Sequence, residues 1–130
     1  MKEAKLIRVL LVEDNDAVRR LAFLSLQSYG YRILQASDGP QAANIAEQHQ
    51  GQIDLLATDL VMPRMSGREL AQALLPRFPH MKVLYLSGYT DDAVVRHGIL
   101  ESDVNFLQKP FTPSSLANKV RRALDQNPNA

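Results

Sequence analysis

The chain has 130 residues, 45% of them hydrophobic, with 15 Lys and Arg against 14 Asp and Glu. That is enough apolar content for one core, and the near-neutral balance gives no reason to expect direct nucleic-acid binding. There is no cysteine, which excludes disulfides, thiolate metal sites and a cysteine nucleophile. No apolar run approaches the roughly 20 residues of a membrane span, and MKEAKLIR leads into a run broken by acids rather than into a signal-peptide core. A single cytoplasmic domain without membrane contact is expected.

The first apolar run, Leu6–Val12, reads as a strand covered on both faces and breaks off into Glu13, Asp14, Asn15 and Asp16. Val18, Leu21, Ala22, Ser25 and Tyr29 then recur at helical spacing, with Asn15 or Asp16 as N-cap and Gly30 as C-cap. Tyr31–Ala36 is a second strand, and Ala42, Ile45 and Ala46 mark a second helix after the SDGP turn. Ile53–Thr58 is a third strand. Ser66 and Glu69 form a capping box for a third helix whose apolar face is Leu70, Ala73 and Leu74. Lys82–Leu86 is a fourth strand, a short fourth helix is expected over about residues 90–97, and Val104–Leu107 is a fifth strand. The last helix opens with Thr112 as cap and Pro113 at its first position, and turns Leu116, Val120 and Leu124 inward. A polar tail over 126–130 leaves a core of about residues 6–125.

Strict alternation of strand and helix implies a parallel sheet with helices on both faces. Right-handed crossovers and five strands favour an α/β, flavodoxin-like, doubly wound (βα)5 fold of strand order 2-1-3-4-5. Ligands in such sheets bind beyond the carboxyl ends of the strands. There strand 1 presents Glu13 and Asp14, strand 3 Asp59, strand 4 Ser87, and strand 5 Lys109. Like charges this close need compensation, and three hard oxygen donors suit Mg²⁺. Lys109 can pair with Asp59 or with a phosphoryl oxygen, and Ser87 can donate to one. A carboxylate beside a divalent ion and a lysine is a nucleophile toward phosphorus. Asp59, on the central strand, is the best candidate.

In order and spacing, VLLVEDN, DLLATDLVMPRMSGREL, VLYLSGY and FLQKPF resemble the receiver domain of two-component response regulators, from about Ile7 to Leu124. The resemblance implies that Asp59 is the phosphoacceptor for a histidine of a sensor histidine kinase or of a histidine phosphotransfer domain. It implies Mg²⁺ bound by Asp14 and Asp59 directly, by Glu13 through water and by Val61 through its backbone carbonyl. Ser87 becomes the switch hydroxyl and Phe106 the switch aromatic, Lys109 contacts the phosphoryl group, and the Lys109–Pro110 bond is expected to be cis. The role implied is signalling rather than enzymatic, with self-phosphorylation and a switching surface on the fourth helix, fifth strand and last helix. Phe106 stands where many members have Tyr. Val61 and Tyr89 flank the expected route of the hydrolytic water, which points to slow autodephosphorylation. GYTDDAVVRHG and the C-terminal stretch are similar to receivers at the C-terminus of hybrid sensor histidine kinases, which favours that setting over a stand-alone regulator.

Two rival functions share these residues. A haloacid-dehalogenase-like phosphatase would use Asp14 as nucleophile, but it needs acidic ligands on a strand after the lysine, and only Asp125 follows Lys109. A phosphorylation-independent docking module would leave the complete set of acids, Ser87 and Lys109 without a purpose. His49, His80 and His97 lack metal-ligand spacing and read as solvated. Met62 and Met65 read as cover for the site or as gap fillers, and the Arg pairs at 19–20 and 121–122 as solvated helix faces.

Overall fold

A computed structural model describes residues 6–88 and 105–126. Val9, Leu10, Leu11 and Val12 are inaccessible to solvent, as a strand with helices on both sides requires. They belong to β1 (Arg8–Val12), at the heart of a parallel sheet with β2 (Arg32–Ala36), β3 (Leu55–Asp59), β4 (Lys82–Gly88) and β5 (Phe106–Lys109). The order is β2-β1-β3-β4-β5, as the alternation of elements predicts. Four helices lie among the described residues: α1 (Asp16–Ser28), α2 (Gly39–Gln48), α3 (Gly67–Leu74) and α4 (Pro113–Asp125). The expected helix over 90–97, Val104, Tyr89, His97 and the tail beyond Gln126 lie outside the described residues.

The two-residue period of a strand divides the core in two. Leu10, Val12 and Leu56 face α2 and α3 and pack with Ala42, Ala46, Leu70 and Leu74. Val9, Leu11, Leu55 and Ala57 face the other way, against Ala22 and Leu26 of α1 and Leu116 and Val120 of α4. Each fully buried leucine contributes roughly 1.5–3 kcal/mol of transfer free energy. Met62 and Met65 belong with the first of these layers.

Three details depart from the periodicity. Leu21 and Tyr29 are 41% and 57% exposed, and the buried stripe of α1 is Ala22, Ser25 and Leu26. Leu21 lies about 100° around the helix from Ala22, off the stripe, and Tyr29 is already the C-cap, past the last helical residue. In α3 the buried alanine is Ala71, and Ala73 faces solvent, because the helix presses its Gly67–Leu70–Ala71–Leu74 side onto the sheet. The third strand ends on Asp59 itself and the fourth continues to Gly88, so Asp59 and Ser87 extend the ladders rather than follow them.

The predicted caps are present. Asn15 accepts the Val18 N–H, Ser66 and Glu69 cap each other, and Thr112 accepts the Ser115 N–H with Pro113 behind it. At the end of α1, Gly30 has φ +93°. Its N–H donates to the Gln27 carbonyl and the Tyr31 N–H to that of Leu26, a Schellman closure that only a residue at ease with positive φ completes without strain.

Candidate functional site

Glu13 follows β1 and remains in its ladder, donating its N–H to the Ala36 carbonyl at 3.1 Å. Its side chain is fully buried. One carboxylate oxygen accepts the Asn15 N–H at 3.0 Å, and the other accepts a hydrogen bond from Lys109 Nζ at 2.8 Å. Asp14, next in the chain, is exposed, and its N–H points at Asp59 Oδ2, 3.4 Å away. Asp59 closes β3 at 3% exposure, opposite Leu86 in the register. Lys109 closes β5 opposite Gly88, ahead of a cis Lys109–Pro110 bond. Its ammonium lies 2.8 Å from Asp59 Oδ1 as an ion pair, and that buried oxygen has no aligned hydrogen-bond donor among the described residues.

The four side chains come from three strand ends, tens of residues apart in sequence, and one oxygen each of Glu13, Asp14 and Asp59 lies within 4.8 Å of the others. Burial foremost, then the hydrogen bond to Glu13 and its charge, push the Asp59 carboxyl up to about 8, against the opposing pull of Lys109. Burial works upward on Asp14 too, but hydrogen bonds with Asp59 and Glu13 outweigh it and hold the group below its ordinary value. Lys109 is drawn down by burial and up by the two acids beside it, and the acids prevail. The cluster is thus short of positive charge: one ammonium serves two buried carboxylates. Three hard oxygen donors gathered within 4.8 Å, one buried oxygen without an aligned donor among the described residues, and a solvent-facing Asp14 fit a divalent cation such as Mg²⁺.

The remaining predicted residues stand close by in the fold. Ser87 is one residue past Leu86, 1% exposed, and its hydroxyl donates to the Gly88 carbonyl at 3.2 Å. Phe106 opens β5 and is buried against Leu60 and Tyr85. Val61 is 55% exposed in the loop that follows Asp59. A cavity of about 710 Å³ lies elsewhere: Ile7, Asp54 and Lys82 place it at the amino ends of the strands.

Three residues were misread or missed in the sequence. Arg19 is not a freely solvated arginine: Nη1 donates to the Glu13 carbonyl at 2.8 Å and Nη2 pairs with Asp16, so the first turn of α1 folds it back over the acidic loop. Its only signal was a position one helical turn after Asp16. Gly67 lets α3 approach the end of β3 so closely that a Cβ there would collide with the Asp59 carbonyl oxygen. The signal was the glycine directly after the Ser66 cap. His49 is partly buried, and its Nε2 is shielded with no hydrogen-bond partner among the described residues, whereas His80 is exposed.

Residues 9–121 match the response regulator receiver domain family. The chain belongs to that family. Among its relatives, the sensor kinase CckA of Brucella abortus is 40% identical over 118 residues, 91% of this chain. The receiver protein CpdR of the same organism is 31% identical over 117 residues, 90% of this chain. The chain spans 12% of the length of that kinase and 96% of CpdR. The crystal structure of the receiver domain from the hybrid histidine kinase CckA superposes with a TM-score of 0.74 at 35% identity, covering 91% of this chain and 99% of that one. The chemotaxis regulator CheY4 of Vibrio cholerae gives 0.77 at 27% identity, covering 92% and 99%. Receiver domains of two-component systems interact with histidine kinases or phosphotransfer proteins and bind Mg²⁺ through acidic residues, and the acidic cluster of this one is in place. No helix among its described residues is long and apolar enough to cross a membrane.

Proposed function

We propose that this receiver domain is a phosphoacceptor whose Asp59 takes a phosphoryl group from a phosphohistidine of a histidine kinase or phosphotransfer protein. An Asp59 oxygen forms the new O–P bond as the P–N bond breaks, and the electron pair leaves on the imidazole nitrogen, which gains a proton from water. The carrying observation is that Lys109 Nζ lies 2.8 Å from both Glu13 Oε1 and Asp59 Oδ1, inside a cluster of three acids. Glu13, Asp14, Asp59 and the Val61 carbonyl would hold Mg²⁺, whose charge offsets that of the acids and of the transferring group. Lys109 contributes the fixed positive charge, and burial of Asp59 excludes water from the attacking oxygen.

Ser87 and Phe106 serve as the switch pair. Phosphorylation shifts the population toward a state in which Ser87 bonds the phosphoryl oxygen and Phe106 follows, altering the surface around β5 and α4. The role is that of a single cytoplasmic signalling domain that phosphorylates itself and loses the group slowly. A place at the C-terminus of a hybrid sensor histidine kinase is favoured over a stand-alone regulator, and the 40% identity with CckA supports it.

Incubation with acetyl phosphate and Mg²⁺, followed by mass spectrometry, tests the assignment. The parent chain gains one phosphoryl group and Asp59→Asn gains none. Phosphorylation that persists in Asp59→Asn and disappears in Asp14→Asn would instead establish the phosphatase-like nucleophile. A parent chain that stays unmodified and shows no spectral change with beryllofluoride and Mg²⁺ would leave only a docking role.

A further inference from the structure

Arg64 is the only non-glycine residue of positive φ among the described residues, at +71°. The Met65 N–H donates to the Pro63 carbonyl at 2.8 Å, so the chain turns about Arg64 in a γ-turn of the rare, strained hand. Such strain persists only where the surroundings impose it. At this turn Arg64 Nη2 lies 2.6 Å from Asp38 Oδ2, although Arg64 itself is largely exposed. Asp38 is no idle surface acid. Its other oxygen caps α2 by accepting the Gln41 N–H at 2.8 Å, which fixes the carboxylate's direction. Beside the pair, Met65 packs so tightly on Gly39 that a Cβ there would touch it.

The loop held at this tip is the one that carries Val61. Its roots are fixed by Leu60, which donates to the Leu86 carbonyl at 2.9 Å, and by Gly67, which donates to the Leu60 carbonyl at 2.9 Å. Between these roots, Met62 is buried while Val61 and Arg64 are exposed, so the Arg64–Asp38 pair is the side-chain contact at the exposed tip. We infer that Arg64 is a positioning residue for metal binding: its pair with Asp38 holds the strained turn after Asp59 and so fixes the Val61 backbone for the cation. This rests on the metal-binding reading above.

The test is Mg²⁺ affinity by calorimetry on the whole chain at physiological salt, with thermal unfolding measured separately in the absence of the ion. Arg64→Ala and Asp38→Asn are the informative variants, because asparagine caps a helix about as well as aspartate. Long-range charge effects alone predict opposite signs, since one variant removes a cation near the acids and the other an anion. A positioning pair predicts the same sign: each variant weakens Mg²⁺ binding about threefold or more, the size of a modest ion pair, and the double variant is no weaker than the worse single. Arg64→Lys recovers most of the affinity. Opposite signs, additive losses, or affinities unchanged beside a lowered melting temperature would overturn the role. If Asp59→Asn binds Mg²⁺ as well as the parent, the metal site itself is wrong and the positioning role falls with it. Asp59-dependent binding with unaffected Arg64 and Asp38 variants rejects the positioning role alone.

Discussion

Lys109 is the residue on which the cluster's balance turns. Its ammonium is the near partner of a fully buried Glu13 and of an Asp59 that is 3% exposed. Removing one partner of a buried pair leaves the other charge uncompensated, which destabilises far more than the pair stabilises. Asp59 softens the loss by keeping its proton to about pH 8, and Lys109 is itself partly exposed. Lys109→Ala is therefore expected to lower stability by about 1–3 kcal/mol in urea unfolding without metal. Millimolar Mg²⁺ should recover part of that loss, because a divalent ion supplies the missing charge. A loss identical with and without Mg²⁺ would show that the ion does not enter the cluster. The same variant should still accept some phosphoryl group from acetyl phosphate while failing to change the β5–α4 surface, measured as amide shifts around Phe106.

At the scale of elements, two glycines look alike in sequence and differ in what they permit. Gly30 has nothing within 4 Å of where a Cβ would stand, so Gly30→Ala suffers only from its positive φ. About 1 kcal/mol of stability is expected to go, with phosphoryl uptake unchanged. Gly67 has ordinary φ but touches the Asp59 carbonyl, so Gly67→Ala pushes α3 away from the end of β3. A loss of roughly 1–3 kcal/mol is expected from the overpacking, together with slower phosphorylation by acetyl phosphate because the carboxylate proposed as acceptor shifts. Equal phosphorylation rates in the two variants would mean that α3 does not set the position of Asp59. The cap residues at 15, 66 and 112 show the opposite situation: their chemistry is local, so the sequence alone locates them.

For the whole molecule, the charge distribution links metal binding to pH. An unfolded Asp59 loses its proton near its ordinary value of 3.8, whereas the folded one keeps it to about 8. A raised acid contributes stability at low pH and loses that contribution as pH climbs between these values. Without metal, Asp59 therefore makes the fold weaker toward pH 8, and Asp59→Asn should flatten that slope. Asp14, held below its ordinary value, acts in the opposite sense and only at acid pH. In the proposed site Mg²⁺ binds the ionised Asp59 carboxylate, so its affinity should rise with pH, by up to about tenfold per unit for one displaced proton, and level off above about 8. Calorimetric titrations from pH 6 to 9 check this; an affinity independent of pH below 8 would mean that Asp59 is already ionised in the metal-free protein.

The amino-acid order by itself determined the alternation of strands and helices, the strand order, the caps and the identity of the acids, because these follow from periodicity, local hydrogen bonding and side-chain chemistry. It also placed Glu13, Asp14, Asp59, Ser87 and Lys109 at strand ends, since a parallel sheet aligns its carboxyl edges. Only the tertiary structure decided that one lysine pairs with both Glu13 and Asp59, that Arg19 folds back onto the Glu13 carbonyl, and that Arg64 and Asp38 join two loops. Those contacts depend on distances between segments far apart in the chain, and no local pattern encodes a distance. The same reason explains Leu21 and Ala73: the helical period names a stripe, but the rotation of the helix against the sheet selects which of its residues are covered.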